Sequence, residues 1–259
     1  MAGMVEAGIA VAAARRITVL TGAGVSTGSG IPDFRGPDGA ALLEPDPEAY
    51  LADAEVRRTA WRARLSHPVW AAEPNPAHRA LVDLERSGRL RSLLTQNVDG
   101  LHQRAGSTSV VELHGTIREA VCLACGDRGP MSAALDRVRD GEAEPACRVC
   151  GGILRSATVS FGQPLDPDVL RAARTAALDC DLMLVAGTSL LVAPAADLVG
   201  LAARAGAAVV ICNAEPTPYD DLAAAVVRDP VGRVLPELVA APVVEPNRPV
   251  KTWGDPSTW

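Results

Sequence analysis

The sequence predicts an α/β fold: a Rossmann-like parallel sheet with a smaller cysteine-bearing and helical module. Three observations carry this. The apolar runs Asp181–Ala186 and Ala207–Cys212 are continuous, as in strands covered on both faces. Strand-like and helix-like segments alternate through the second half of the chain, the arrangement that builds parallel sheets. Two C-x-x-C pairs interrupt that alternation between residues 121 and 152.

The elements follow in order. Residues 4–14 are Ala-rich and helical, and Ile17–Leu20 is a short apolar strand stopped by a glycine cluster. Residues 36–76 carry Pro, Ala and charge, with helical stretches near 47–66 and no strand signal. A helix is expected over 77–87, a strand over Leu90–Thr95, and a strand over Val110–Leu113 that ends at His114-Gly115. Beyond the cysteines come a strand near 157–160 and helices at 166–178 and 194–205, the latter between the two buried strands. Helices near 219–226 and 231–240 complete the pattern. The expected division is a discontinuous large domain (1–36, 77–120, 155–240), a small module (37–76, 121–154) and a Pro-containing tail read as disordered (241–259).

Composition narrows the chemistry. Of the 25 basic residues one is a lysine, Lys251 near the C-terminus, so Schiff-base and P-loop lysine chemistry are excluded. A net charge of −6 argues against a dedicated nucleic-acid binder. No apolar run is long enough to span a membrane. The N-terminal apolar stretch precedes its arginines, Arg15 and Arg16, the reverse of a signal peptide, which points to the cytoplasm.

Six cysteines are present. Cys180 and Cys212 sit alone in apolar segments and read as small buried hydrophobes. Cys122, Cys125, Cys147 and Cys150 form two C-x-x-C knuckles, each followed by glycine (Gly126, Gly151), and in a reducing compartment they read as one tetrahedral Zn²⁺ site. All four positions are protein thiolates, so this zinc is structural and defines a zinc-binding and helical module. Such sites contribute about 10–16 kcal/mol in small zinc peptides, enough to organise a short segment poor in aromatic residues.

The cluster Thr21-Gly-Ala-Gly-Val-Ser-Thr-Gly-Ser-Gly30 follows a strand, where glycines let backbone N–H groups approach phosphate. It departs from the dinucleotide fingerprint, because Thr27 stands at the third glycine. Gly30-Ile-Pro-Asp-Phe-Arg-Gly36 then places an acid, a ring and a guanidinium side by side on a Pro-stiffened loop.

These two segments, with Thr95-Gln-Asn-Val-Asp-Gly-Leu-His102, His114-Gly115, the cysteine pairs, Gly187-Thr-Ser189 and Asn213, resemble the signature of the sirtuins, the NAD-dependent protein lysine deacylases. The resemblance runs from about residue 8 to 240. It implies removal of acetyl from lysine with NAD as co-substrate: nicotinamide leaves, the sugar takes the acyl group, and free lysine is released. His114 is then the general base, an imidazole able to take a proton near neutral pH. Asn97 and Asp99 belong to the nicotinamide pocket and Gln96 lies beside the ribose. Gly22, Ala23 and Gly24 approach the diphosphate. Asp33 is a further cofactor-binding residue, Phe34 covers the reacting sugar, where the ring keeps water away, and Arg35 contacts phosphate. Gly187, Thr188 and Ser189 suit ribose or phosphate, Asn213 the adenosine ribose and Val231 the adenine, although Asp229 replaces a usual glycine nearby. Thr158–Gln163 corresponds to the segment that holds the substrate peptide as an added strand, so Val159, Phe161 and Gly162 line the acyl-lysine channel. Gln163 replaces the usual glutamate. His102 is read as structural, and His67 and His78 as surface residues.

In the acid-preferring branch of the family a Tyr-x-x-Arg motif meets the acyl carboxylate. Here Trp61 takes the tyrosine's place and Arg64 matches the arginine, so both are candidate substrate contacts. Trp lacks the hydroxyl, which favours acetyl over succinyl, and Arg64 is alternatively one of a solvated set with Arg57, Arg58 and Arg62. The partners implied are acyl-lysine proteins or peptides, the substrates of a monomeric enzyme, with no membrane or nucleic acid. Mono-ADP-ribosyl transfer or NAD hydrolysis in the same pocket, and removal of longer or acidic acyl groups, remain alternatives, as does a non-catalytic NAD-sensing role.

Overall fold

A computed structural model describes residues 2–32, 45–160 and 162–240. Its centre is a six-stranded sheet in the order β3-β2-β1-β7-β8-β9. The strands are β1 (Ile17–Thr21), β2 (Leu90–Thr95), β3 (Val110–Glu112), β7 (Leu182–Ala186), β8 (Ala208–Cys212) and β9 (Ala225–Val227), and every pairing is parallel. β1 and β7 are buried along their whole length: β7 is apolar throughout, and in β1 the Thr18 and Thr21 hydroxyls donate to the Ala176 carbonyl and Thr95 Oγ1.

Helices cover both faces. One core holds Val11 of α1 (Ala2–Ala13), Leu81 and Leu84 of α4 (Pro76–Arg86), and Leu235 of α9 (Val231–Ala240) against Val19 and Leu184. The other packs Ala173 and Ala177 of α7 (Pro167–Leu178) and Leu198 and Val199 of α8 (Asp197–Arg204) on Leu20, Val185 and Ile211. Helix starts are written locally: Asn75 and Asp166 cap α4 and α7, each followed by a proline at the first helical position.

The expected helix near 219–226 is instead a 3₁₀ turn, Asp220–Leu222, followed by β9. Its alanines suit a helix, but Val210↔Ala225 and Cys212↔Val227 pairing buries Ala225 and Val227 at the sheet edge, and tertiary context overrides propensity.

A second, antiparallel sheet, β5-β4-β6, is formed by β4 (Gly115–Cys122), β5 (Arg128–Pro130) and β6 (Leu154–Thr158). Beside it lie α2 (Pro47–Ala52), α3 (Ala54–Leu65) and α6 (Met131–Arg139), with a short helix α5 (Leu101–Ala105) following β2. Trp61 of α3 joins Cys122, Met131, Leu135 and Leu154 in a separate core.

Candidate active site

In the main sheet the chain leaves β1 toward β2 on one side, and leaves β7 toward β8 on the other. The crevice at the carboxyl ends of such diverging strands is where open α/β sheets bind ligands. The loops after β1 and β7 meet there: Gly24 N–H donates to the Gly187 carbonyl at 2.9 Å. Gly187 has φ +62°, and a Cβ on it would lie 2.5 Å from the Val25 nitrogen, so only glycine allows this approach. Ala23 and Gly24 are half-exposed backbone with no side chain larger than a methyl, the surface a diphosphate can approach closely.

Behind this strip the polar side chains form one network. The Ser26 hydroxyl donates to Asp99 Oδ2 at 2.7 Å, while Asn97 Nδ2 donates to the Gly22 carbonyl (3.1 Å) and to Ser26 Oγ (3.2 Å). Asp99 Oδ1 accepts Leu101 N–H at 2.8 Å. Ser26, Asn97 and Asp99 are all buried, so their geometry is fixed before any ligand arrives. Gln96 Nε2 donates to Thr188 Oγ1 at 2.9 Å and links the ends of β2 and β7. Asn213, after β8, is buried and donates to the Glu215 carbonyl at 2.9 Å. Ser189 and Val231 are half-exposed near the ends of β7 and β9.

His114 follows β3. Its Nδ1 lies 3.0 Å from the Gln96 carbonyl. A carbonyl only accepts, so Nδ1 carries the proton and Nε2 keeps the lone pair that a base needs. Burial pushes the imidazole below its usual range, partly opposed by that hydrogen bond. Gly115 has φ +73°, and a Cβ there would sit 2.1 Å from the Ala157 carbonyl oxygen. The backbone carbonyl of His114 accepts Val159 N–H at 2.9 Å, so the candidate base and the expected substrate strand are joined directly. Gly162, at φ +81°, has open space around it. Asp33, Phe34, Arg35 and Phe161 lie outside the described residues.

Two histidines lie deeper. His102 Nε2 is 3.0 Å from Thr21 Oγ1, which donates to Thr95 Oγ1 at 2.9 Å, a structural role as expected. His78, expected on the surface, is fully buried: it caps α4, accepting Asn75 N–H at Nδ1, and its ring lies 4.8 Å from that of His102. Burial pushes them down to about 4 for His78 and about 3 for His102.

Trp61 and Arg64 need correction. Trp61 exposes no surface and belongs to the small module's core, so it lines no open channel. Arg64 is not a solvated helix residue. It is buried, stacked against Trp61 (4.9 Å) and Tyr50 (5.3 Å), and donates Nε to Ser156 Oγ at 2.8 Å.

The four cysteine sulfurs all lie within 4.8 Å of one another, with Cys122–Cys150 and Cys125–Cys147 at 3.5 and 3.8 Å. Four thiolates about 2.3 Å from one Zn²⁺ in a tetrahedron stand about 3.8 Å apart, so the quartet fits a structural zinc site. The two knuckles are built alike: Gly126 N–H donates to the Cys122 carbonyl, and Gly151 N–H to that of Cys147.

The comparisons agree with this geometry. The Sir2 family profile matches residues 22–194, more than half of the chain. The chain belongs to the Sir2 family. It is 52% identical over 233 residues to NAD-dependent protein deacetylase 2 of Streptomyces coelicolor, covering 86% of this chain and 96% of that protein. Identity to NAD-dependent protein deacylase 2 of Pyrobaculum aerophilum is 43% over 235 residues, covering 88% and 91%. A solved Sir2 complex with a p53 peptide and NAD⁺ superposes with TM-score 0.79 at 35% identity, covering 88% of this chain and 93% of that one. A Sir2 bound to a propionylated peptide gives TM-score 0.80 at 35% identity, with 90% and 95% covered.

Two contributors to this Sir2-family site escaped sequence reading. Ser26 stands within the glycine-loop motif, but its bridging of Asn97 and Asp99 emerges only in three dimensions. Arg118, on β4, donates Nε to the Asp99 carbonyl at 2.8 Å and stacks 5.1 Å from Trp70, tying the cysteine-bearing strand to the Asp99 loop.

Proposed function

We propose that the protein removes acetyl groups from protein lysines in an NAD-dependent reaction: acetyl-lysine, NAD and water yield lysine, nicotinamide and acetyl-ADP-ribose. The observation that carries the reading is His114. Its Nε2 is the free base nitrogen, its Nδ1 is fixed on the Gln96 carbonyl, and its own carbonyl holds Val159.

NAD supplies the ADP-ribosyl acceptor when bound. Gly22, Ala23, Gly24, Gly187, Thr188, Ser189, Asn213 and Val231 would hold it, and Asn97 and Asp99 would receive the nicotinamide amide with acceptor oxygens, both side chains being held in place by Ser26. His114 takes a proton from a ribose hydroxyl. Val159 and Gly162 guide the acyl-lysine. The zinc quartet is remote from proton transfer and holds β4, from which Arg118 reaches the Asp99 loop.

The large parallel-sheet unit and the small zinc and helical module act as two domains, as the separate core around Trp61 supports. The partners are acyl-lysine polypeptides, met by a cytoplasmic monomer, and the net charge of −6 speaks for peptide rather than nucleic-acid partners. Among the described residues no helix is long and apolar enough to cross a membrane.

The test compares wild type with His114→Ala. Loss of peptide deacetylation with NAD binding retained in calorimetry supports the assignment. A variant that deacetylates as wild type does contradicts it.

A further inference from the structure

β6 is the edge of the antiparallel sheet: β4 covers one side, and no described strand covers the other. From this strand Arg155 reaches the segment that follows it. Its Nη2 donates to the Thr158 carbonyl and, at 3.5 Å, to Gln163 Oε1, which also accepts Ser160 N–H at 3.1 Å. The guanidinium is half-buried, and its Nε is fully buried with no hydrogen-bond partner. A groove opens beside it, walled by Tyr50, Leu51, Leu123, Ser160 and Gln163, and among the described residues Arg155 is the one charged residue in that wall. Leu51 and Leu123 are exposed there (53% and 42%).

A carboxylate at position 163 would neutralise this cation. Gln163 instead contributes a neutral oxygen, and among the described residues Arg155 has no acidic partner. A half-buried guanidinium with no acidic partner among the described residues, beside apolar side chains at the edge of the expected substrate strand, is complementary to a carboxylate delivered on a polypeptide.

We propose that Arg155 is a specificity residue that selects acyl-lysine polypeptides carrying an aspartate or glutamate near the modified lysine. This rests on the deacetylase reading above and adds the chemistry of the flanking sequence. Leu51 and Leu123 contact the stem of the acidic side chain, and Arg155 pairs with its carboxylate.

The experiment uses the full chain with NAD and one set of acetyl-lysine peptides that differ only in having Glu, Gln or Lys at each flanking position in turn. At one or more positions the Glu peptide is expected to exceed the Lys peptide by about fivefold in kcat/KM, the range of a partly exposed charge pair, and the gap should close in high salt. Arg155→Gln removes the cation. Gln163→Glu leaves Arg155 in place and neutralises it, so it tests the charge even if the first variant folds poorly. Both are expected to bring the ratio toward one. Equal wild-type rates at every position, or a preference that survives both substitutions, overturn the assignment of Arg155 while leaving the deacetylase reading intact. Failure to turn over any acetyl-lysine peptide overturns that reading, and this one with it.

Discussion

His114 holds its Nδ1 on the Gln96 backbone carbonyl at 3.0 Å, and this contact sets which nitrogen is basic. Gln96 is in turn tied through its side chain to Thr188, so His114 is oriented by the same strand ends that build the crevice proposed for NAD. Burial lowers the imidazole from its usual value. Because the base must be neutral, the acid limb of kcat/KM against pH is expected below about 6.5, the free-histidine value. A limb centred above 7 that disappears in His114→Ala would show that the burial argument is wrong.

The buried pair His78 and His102 predicts how stability responds to acid. Burial holds both folded-state values down, to about 4 and about 3. Below about pH 6.5 the unfolded chain takes up protons that the folded rings refuse, so stability falls with pH, on the order of 1 kcal/mol per pH unit for each ring. Glu112, whose carboxyl is raised by burial, acts with the opposite sign at the lower end. Urea midpoints measured from pH 7 to 5.5 should decline, and a His78→Gln/His102→Gln variant should decline less steeply. A flat wild-type profile would count against the pair.

Much of this was legible in the sequence because it is local. The glycine loop, Asn97, His114 and the C-x-x-C knuckles are each set by a few adjacent residues. The buried strands announce themselves by unbroken apolar runs. What escaped depends on partners far along the chain. His78 looks exposed because its neighbours are polar, yet it turns inward to cap α4. Arg64 sits among exposed arginines, and only the meeting of α3 with β6 gives it Ser156. β9 closes an alanine run, Ala223–Ala225, that suits a helix, and becomes a strand because β8 offers it an edge.

Gly187 closes the contact between the loops after β1 and β7, the proposed NAD loops. Gly187→Ala places a methyl 2.5 Å from the Val25 nitrogen at a left-handed φ, with Gly24 backbone equally close. The loops must separate. NAD affinity is expected to drop about tenfold or more, with a stability loss of about 1–3 kcal/mol. Calorimetric titration with NAD and thermal melting check both, and unchanged NAD affinity would refute the loop contact as part of the site.

Zinc removal should act through the fold. With Cys122 and Cys150 on opposite knuckles, Cys150→Ser or a strong chelator is expected to release the metal and lower the melting temperature. Activity should then fall, because β4 carries Arg118 to the Asp99 loop. Metal analysis should give one zinc per chain, from Cys122–Cys125–Cys147–Cys150, the one such cluster among the described residues. Full activity in metal-free protein would contradict this coupling.

Acyl preference follows from Arg64. Its guanidinium is engaged by Ser156 and by the Tyr50 and Trp61 rings, so it is not poised for a carboxylate on the acyl chain. Acetyl-lysine peptide is expected to exceed the succinyl form in kcat/KM by about tenfold or more. Faster succinyl removal would show that Arg64 turns toward substrate.

The central claim is tested most directly by counting products. With NAD and an acetyl-lysine peptide, nicotinamide, deacetylated peptide and acetyl-ADP-ribose should accumulate in equal amounts, and none should form at a comparable rate without peptide. Nicotinamide release that ignores the peptide, with ADP-ribose free or attached to protein, would contradict it.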